Sequence, residues 1–214
     1  MRKILIAVLT VLLVISLCAC SLNKKTEDTD KSSVVNSDVS GVEQTQSQET
    51  SKENNKRDEL MTFQVEINGK SLTVPFEYSE LTSLGYSLEE DDDLKANTYT
   101  IGTYVKNADG ESLHLQFWNP STETKKYSQC QISEIEITLD KKLDVTLPGG
   151  IKFDENLTPE QVLELYGEAD MDLDEDDYRS LSYEDGGYKQ VKFMFYKEDK
   201  MKGYNELTIN HIND

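Results

Sequence analysis

Histidine is nearly missing from this chain of 214 residues: only His114 and His211 occur. Cysteine is scarce too, with Cys18, Cys20 and Cys130 alone, and the first two sit at the end of an N-terminal apolar run. These shortages exclude much chemistry. A zinc-type centre needs three or four convergent ligands, and neither His-x-x-x-His nor Cys-x-x-Cys occurs after residue 61. Gly-x-Ser-x-Gly and phosphate-loop signatures are absent as well. So many acids occur that no single pair stands out as a glycosidase pair. The residues predict no cofactor and no catalysis.

Basic residues are also short, with 22 Lys and Arg against 41 Asp and Glu, a net charge of −19. The deficit lies mostly after Met61, where 14 basic residues face 32 acidic ones. Such a field repels nucleic acid and anionic head groups, so neither is an expected partner. Solubility alone also accounts for the charge.

Aromatic residues are missing from one whole stretch. None occurs between Ser21 and Met61, where polar and acidic residues dominate, whereas all 11 tyrosines, all 6 phenylalanines and Trp118 follow. So little apolar surface does not offset the entropy of ordering, and a disordered tether is expected. A flexible coil of about 40 residues spans roughly 35 Å. The remaining length suits one domain, or two small ones sharing a core.

What is present at the N-terminus explains the paired cysteines. Met1-Arg2-Lys3 precedes an apolar run from Ile4 to Leu17. About 14 residues at ~1.5 Å each reach ~21 Å, short of the ~30 Å hydrocarbon core. That is the length of a signal peptide rather than a spanning helix. Leu17-Cys18-Ala19-Cys20 then resembles a bacterial lipobox, with Cys18 in a slot that usually holds Ala, Ser or Thr. The resemblance implies cleavage after Ala19 and a diacylglyceryl group on Cys20. Two acyl chains suffice for stable anchoring, so the expected location is the cell membrane, lipid-anchored and facing outside the cytoplasm. Cys130 then remains as the single thiol, in a strand-like setting where cysteine packs as a small hydrophobe.

The folded part reads as an α+β repeat. Phe63, Val65 and Ile67 alternate, Asn68-Gly69 makes a turn, and Leu72 and Val74 follow, pairing Val65 with Leu72 and Phe63 with Val74. A short helix ending at Gly85 comes next. Strands are expected near Thr98–Val105 (Tyr99 and Ile101 apolar), Ser112–Trp118 and Tyr127–Leu139. The second half repeats the order. Leu143, Val145 and Leu147 lead into Pro148-Gly149-Gly150, then Ile151 to Phe153. Thr158, Pro159 and Gln161 form a capping box, Leu157 and Val162 a hydrophobic staple, and Gly167 a stop. Strands follow near Ser180–Tyr183, Tyr188–Tyr196 and Tyr204–Ile212. The stopping glycine and the next strand's apolar residue are equally spaced in both halves, Gly85 to Tyr99 and Gly167 to Leu181.

This predicts two tandem β-β-α-β-β-β units with antiparallel sheets packed on each other. The boundaries are 1–19 signal peptide, 20–61 lipidated cysteine and tether, 62–140 first unit and 141–214 second unit. The stretch Gly150 to Ala169 resembles the helix motif of the SmpA/OmlA outer-membrane-assembly lipoproteins and the β-lactamase-inhibitor-protein-like fold, through Gly150, Thr158, Gln161, Val162, Tyr166 and Gly167. Ala169 stands near the usual proline. These residues cap and pack a helix, so the resemblance implies fold and not chemistry. The whole chain is similar to small lipoproteins of Gram-positive anaerobes, which implies no activity.

Few side chains suggest a site. If Leu113, Leu115 and Phe117 face the core, Trp118 points outward with His114 and Gln116, as an interface anchor or as a cover for the seam between units. Two acidic blocks follow the helices, Glu89–Asp93 and Asp170–Asp177. Asp170, Asp172 and Asp174 imitate the start of a calcium loop, but Glu175 and Leu181 stand where such a loop needs Gly and Glu. Solvated loops, or a weak calcium site on Asp170, Asp172, Asp174 and Asp176, remain the alternatives. The expected function is a lipid-anchored binding or accessory module, its partner another envelope protein. An envelope hydrolase and a structural spacer are the rivals.

Overall fold

The computed structural model describes residues 56–139, 142–197 and 204–212. The signal peptide, Cys20 and the tether up to residue 55 lie outside the described residues. All described residues fall within one compact unit, Gln44–Asp214.

The fold starts earlier than the composition suggested. A helical segment over residues 56–60 (α1) buries Leu60 and sends Arg57 to Asp170, 2.5 Å away. Next comes the hairpin read from Asn68-Gly69. Strands β1 (Gln64–Ile67) and β2 (Lys70–Thr73) pair with Val65 opposite Leu72. The turn residues have φ of 50° and 79°, which glycine and asparagine tolerate best. The Val74 N–H donates to the Phe63 carbonyl, completing the expected register.

The short β3 (Phe76–Glu77) leads into α2 (Ser79–Thr82), β4 (Ser87–Leu88), β5 (Asp93–Leu94), β6 (Thr98–Tyr99) and β7 (Thr103–Lys106). The longer β8 (Ser112–Asn119) and β10 (Gln131–Thr138) flank the two-residue β9 (Lys125–Lys126). The strand expected over Thr98–Val105 is broken. Thr100 bonds back to the Phe117 backbone, Ile101 is fully exposed, and Gly102 turns with φ 45° before β7 begins.

In the second half β11 (Val145–Thr146) turns back through Pro148–Gly150, and α3 (Pro159–Tyr166) begins at Thr158. The capping box forms in full: the Gln161 N–H donates to Thr158 Oγ1, and the Thr158 N–H donates to Gln161 Oε1. Leu157 and Val162 are both buried, and Gly167 is the C-cap. An unexpected strand follows, because the acidic block forms β12 (Met171–Asp174). Then come β13 (Tyr178–Glu184), β14 (Tyr188–Tyr196) and β15 (Glu206–Ile212).

Pairing is antiparallel throughout, and strand dominates helix. The main sheet runs β12-β13-β14-β15-β10-β8-β7-β4, with β3 on β10 and β6 on β8; a second sheet runs β11-β1-β2. Strands from the two halves therefore join edge to edge, Ile135 opposite Ile209, where two sheets packed on each other were expected. The Gly-to-strand spacing also fails to mark equivalent places. Tyr99 pairs with Trp118 on β6, whereas Leu181 is a buried residue of β13 opposite Phe193.

One face of the main sheet carries the core. Leu113, Leu115, Phe117, Ile135, Ile137, Leu181, Tyr183, Val191, Phe193, Leu207 and Ile209 are all buried. Helix α3 sits there, its Tyr166 ring 6.1 Å from Tyr183 and 6.4 Å from Phe193. Phe63, before β1, meets His211 on the same side at 4.6 Å. The alternate residues of each strand form the opposite, open face.

Candidate functional site

Period-two alternation decides what the open face displays. On β8 the core takes Leu113, Leu115 and Phe117, which leaves His114, Gln116 and Trp118 half-buried on the other side. The sequence placed these three together, and the structure does so. Trp118 stacks on Tyr99 at 5.9 Å with the rings 11° apart, and Tyr104 stacks on His114 at 4.6 Å. Trp118 lies on β8, one strand from the β10–β15 junction and opposite Gln131 of β10. A Cβ on Gly102 would meet the His114 ring, which fixes the imidazole against the broken strand.

The register continues this surface in rows. His114 stands opposite Glu136, Glu136 opposite Thr208, and Thr208 opposite Lys192. In the next row Gln116, Glu134, Asn210 and Gln190 follow one another. A bulge between Ile132 and Glu134 buries Ser133 and re-phases β10, which keeps both glutamates on the open face. Asn210 Nδ2 donates to Glu134 Oε2. Burial holds the Glu134 carboxyl above the usual range, with Glu136 adding repulsion.

Past Lys192 the far end turns apolar again. Met194 and Tyr196 lie on this face of β14 opposite Glu206 and Tyr178, and Met171 and Leu173 of β12 pair with Ser182 and Ser180. Among the described residues, the strand-borne large apolar side chains left exposed are Tyr104, Met171, Leu173 and Tyr188, and all four belong to the open face.

The other candidates do not converge. His211 points to the core side, where Nδ1 lies 2.9 Å from the Val74 carbonyl. Cys130 is buried, its thiol donating to the Lys126 carbonyl, and burial pushes its pKa up. His114, His211 and Cys130 thus occupy three separate environments.

In the acidic block, where a weak calcium site was one alternative, cations of the chain itself stand against three of the four aspartates. Asp170 binds Arg57 and accepts from the Glu184 N–H, Asp172 takes two bonds from Arg179 at 2.7 and 2.9 Å, and Asp174 binds Lys197. Asp170, Asp172 and Asp174 are each held by a cation, and the Arg57 and Arg179 bonds hold Asp170 and Asp172 below the usual carboxylate range. Asp176 is exposed. Among the described residues no three His, Cys, Asp or Glu side chains gather as metal ligands.

A cleft of about 400 Å³ opens beside the start of α3, lined by Thr158, Glu160, Arg179, Tyr196, Lys197 and Asn205. Its two cations are engaged, Arg179 by Asp172 and Glu160, Lys197 by Asp174 and the Glu175 carbonyl. No helix among the described residues is long and apolar enough to cross a membrane. Comparison with protein-family models, with curated proteins and with solved structures gives no match to this chain.

Proposed function

We propose that this chain is a lipid-anchored extracytoplasmic binding or accessory module that meets a protein partner through the open face of its main sheet and carries out no reaction of its own. The observation that carries the reading is that Tyr104, Met171, Leu173 and Tyr188, spread from β7 to β12, all project from that one face. Tyrosine, tryptophan and methionine are the residues enriched at interaction surfaces, and this face presents all three on rigid strands. Trp118 and His114, held by stacking, lose little side-chain entropy on contact. The lipobox resemblance supports anchoring at Cys20.

The two halves are read as tandem units, 62–140 and 141–214. The order hairpin, helix and strands in each half supports this, as does the main sheet's strand order. From the central β10–β15 pair outward, β8, β7 and β4 on one side answer β14, β13 and β12 on the other.

Two experiments test the proposal. Labelled fatty acid should enter the Cys18→Ala variant and not Cys20→Ala; the reverse pattern removes the anchor assignment. A photo-crosslinking residue at Tyr104 or Tyr188 should give a discrete adduct in the native host, while one at the exposed Lys152 should not. Equal labelling from all three positions would remove the docking face.

A further inference from the structure

The middle of the open face has acceptors without matching cations. Asp93, Asp144, Asp170 and Asp172 each hold a lysine or arginine. Glu134 and Glu136 stand side by side on the face and pair with none; Glu134 has the Asn210 amide, and Glu136 has His114 Nδ1 at 3.5 Å without a hydrogen bond. Lys192 is two strands away, across Thr208. Two further polar atoms in the same rows, His114 Nδ1 and Asn210 Oδ1, are buried with no hydrogen-bond partner. Neighbouring carboxylates without a cation repel each other, and a multivalent cationic donor relieves that repulsion.

The chemistry of that donor follows from the surroundings. A guanidinium brings five donors in a plane and binds carboxylates in pairs. Beside Glu136 lie the stacked Tyr104 and His114 rings, and beyond Gln116 lie Trp118 and Tyr99. Flat faces of this kind accept the aliphatic stem and the charge of an arginine. The acidic balance of the folded part also draws a basic partner and repels a second copy of the chain. Resting on the docking-face reading above, we propose that the partner is a basic protein segment that seats an arginine on Glu134 and Glu136, flanked by the Tyr104–His114 and Tyr99–Trp118 pairs.

The test uses the full chain, detergent-solubilised, to select binders from a random peptide library. Selected peptides should carry arginine, and replacing it by citrulline, its neutral isostere, should weaken binding at least about tenfold. The Glu134→Gln/Glu136→Gln variant should bind the arginine and citrulline peptides equally. Peptides that need Trp118 and Tyr104 yet ignore citrulline and the glutamine variant would overturn the arginine seat and leave the docking face standing. Peptides indifferent to every substitution on the face, or no selected peptide at all, would overturn both. A dimer of the chain that Tyr104→Ala dissociates, with no peptide binding, would give the face to a second copy and overturn the arginine seat.

Discussion

The imidazole of His114 occupies the place where any other residue at 102 would put its side chain: a Cβ on Gly102 would fall 2.1 Å from Nε2. The same glycine has φ 45°, a backbone region that side chains resist. Two separate constraints thus fix glycine at one position. Together they aim a ring of the open face and turn Ile101 outward.

Gly102→Ala should therefore do more than strain the backbone. The left-handed conformation alone costs about 1–2 kcal/mol, and the methyl must also displace the ring from Tyr104. Denaturant midpoints should fall, and the His114 ring proton signals should shift as the stacking is lost. Unchanged ring signals would show that His114 is not held by this contact.

Helix α3 is anchored at both ends by side chains the sequence made visible. Thr158→Ala removes the cap and should cost about 1 kcal/mol. Tyr166→Phe removes the hydroxyl that donates to the Pro148 carbonyl, again about 1 kcal/mol. Phe193→Ala, in the core beneath, should cost roughly 3–5 kcal/mol. Equilibrium unfolding orders the three; a Phe193 variant no weaker than the Thr158 one would contradict this placement of the core.

Acid and base limbs of the stability curve should separate by residue. Asp172 is held low by Arg179, so its contribution is present above the ordinary aspartate pKa and is lost as pH falls through its lower folded value. Asp172→Asn should then destabilise at neutral pH and make no difference in strong acid. Glu134 is held high by burial, so its contribution is present below the ordinary glutamate pKa and is lost as pH rises through its higher folded value. Glu134→Gln should gain stability over the parent as pH rises. Melting temperatures across pH read both, and a Glu134 variant that loses stability on the alkaline side would contradict the burial argument.

Cys130 should behave as packing. Its thiol is buried and bonded to the Lys126 carbonyl, and burial disfavours the thiolate. Thiol reagents should label it only at the rate of global unfolding, in step with the loss of tyrosine and tryptophan tertiary signals. Rapid labelling of the folded chain would assign it an exposed position.

The hairpin at Asn68-Gly69, the cap at Thr158 and the long strands β8 and β14 were legible because short-range rules govern them: turn chemistry, capping and period-two alternation. The open-face trio His114, Gln116 and Trp118 followed from that alternation. Long-range pairing was not legible. Nothing local to Met171–Asp174 announces a strand, since its stability comes from β13 and from Arg57, Arg179 and Lys197 gripping the acids around it. Glu111 shows the same limit. It is 5% exposed, and its carboxylate accepts from Asn68, Asn107 and Tyr86, residues far apart in the chain. The acceptor row was missed because the register that sets Glu134 beside Asn210 and Glu136 beside His114 is a long-range pairing.

The β10–β15 pairing also sets an order of events during synthesis. Every strand that flanks β10 on its other side has left the ribosome before β15 is made, so beyond Ile132, which β3 covers, β10 waits with one edge bare. Strand β1 waits likewise for β11. A nascent chain paused after Thr138 carries Ile135 and Ile137 on an open edge, the arrangement that recruits foreign strands. The first half is thus a poor candidate for independent folding, and chaperone dependence should concentrate in the interval before residue 206 emerges.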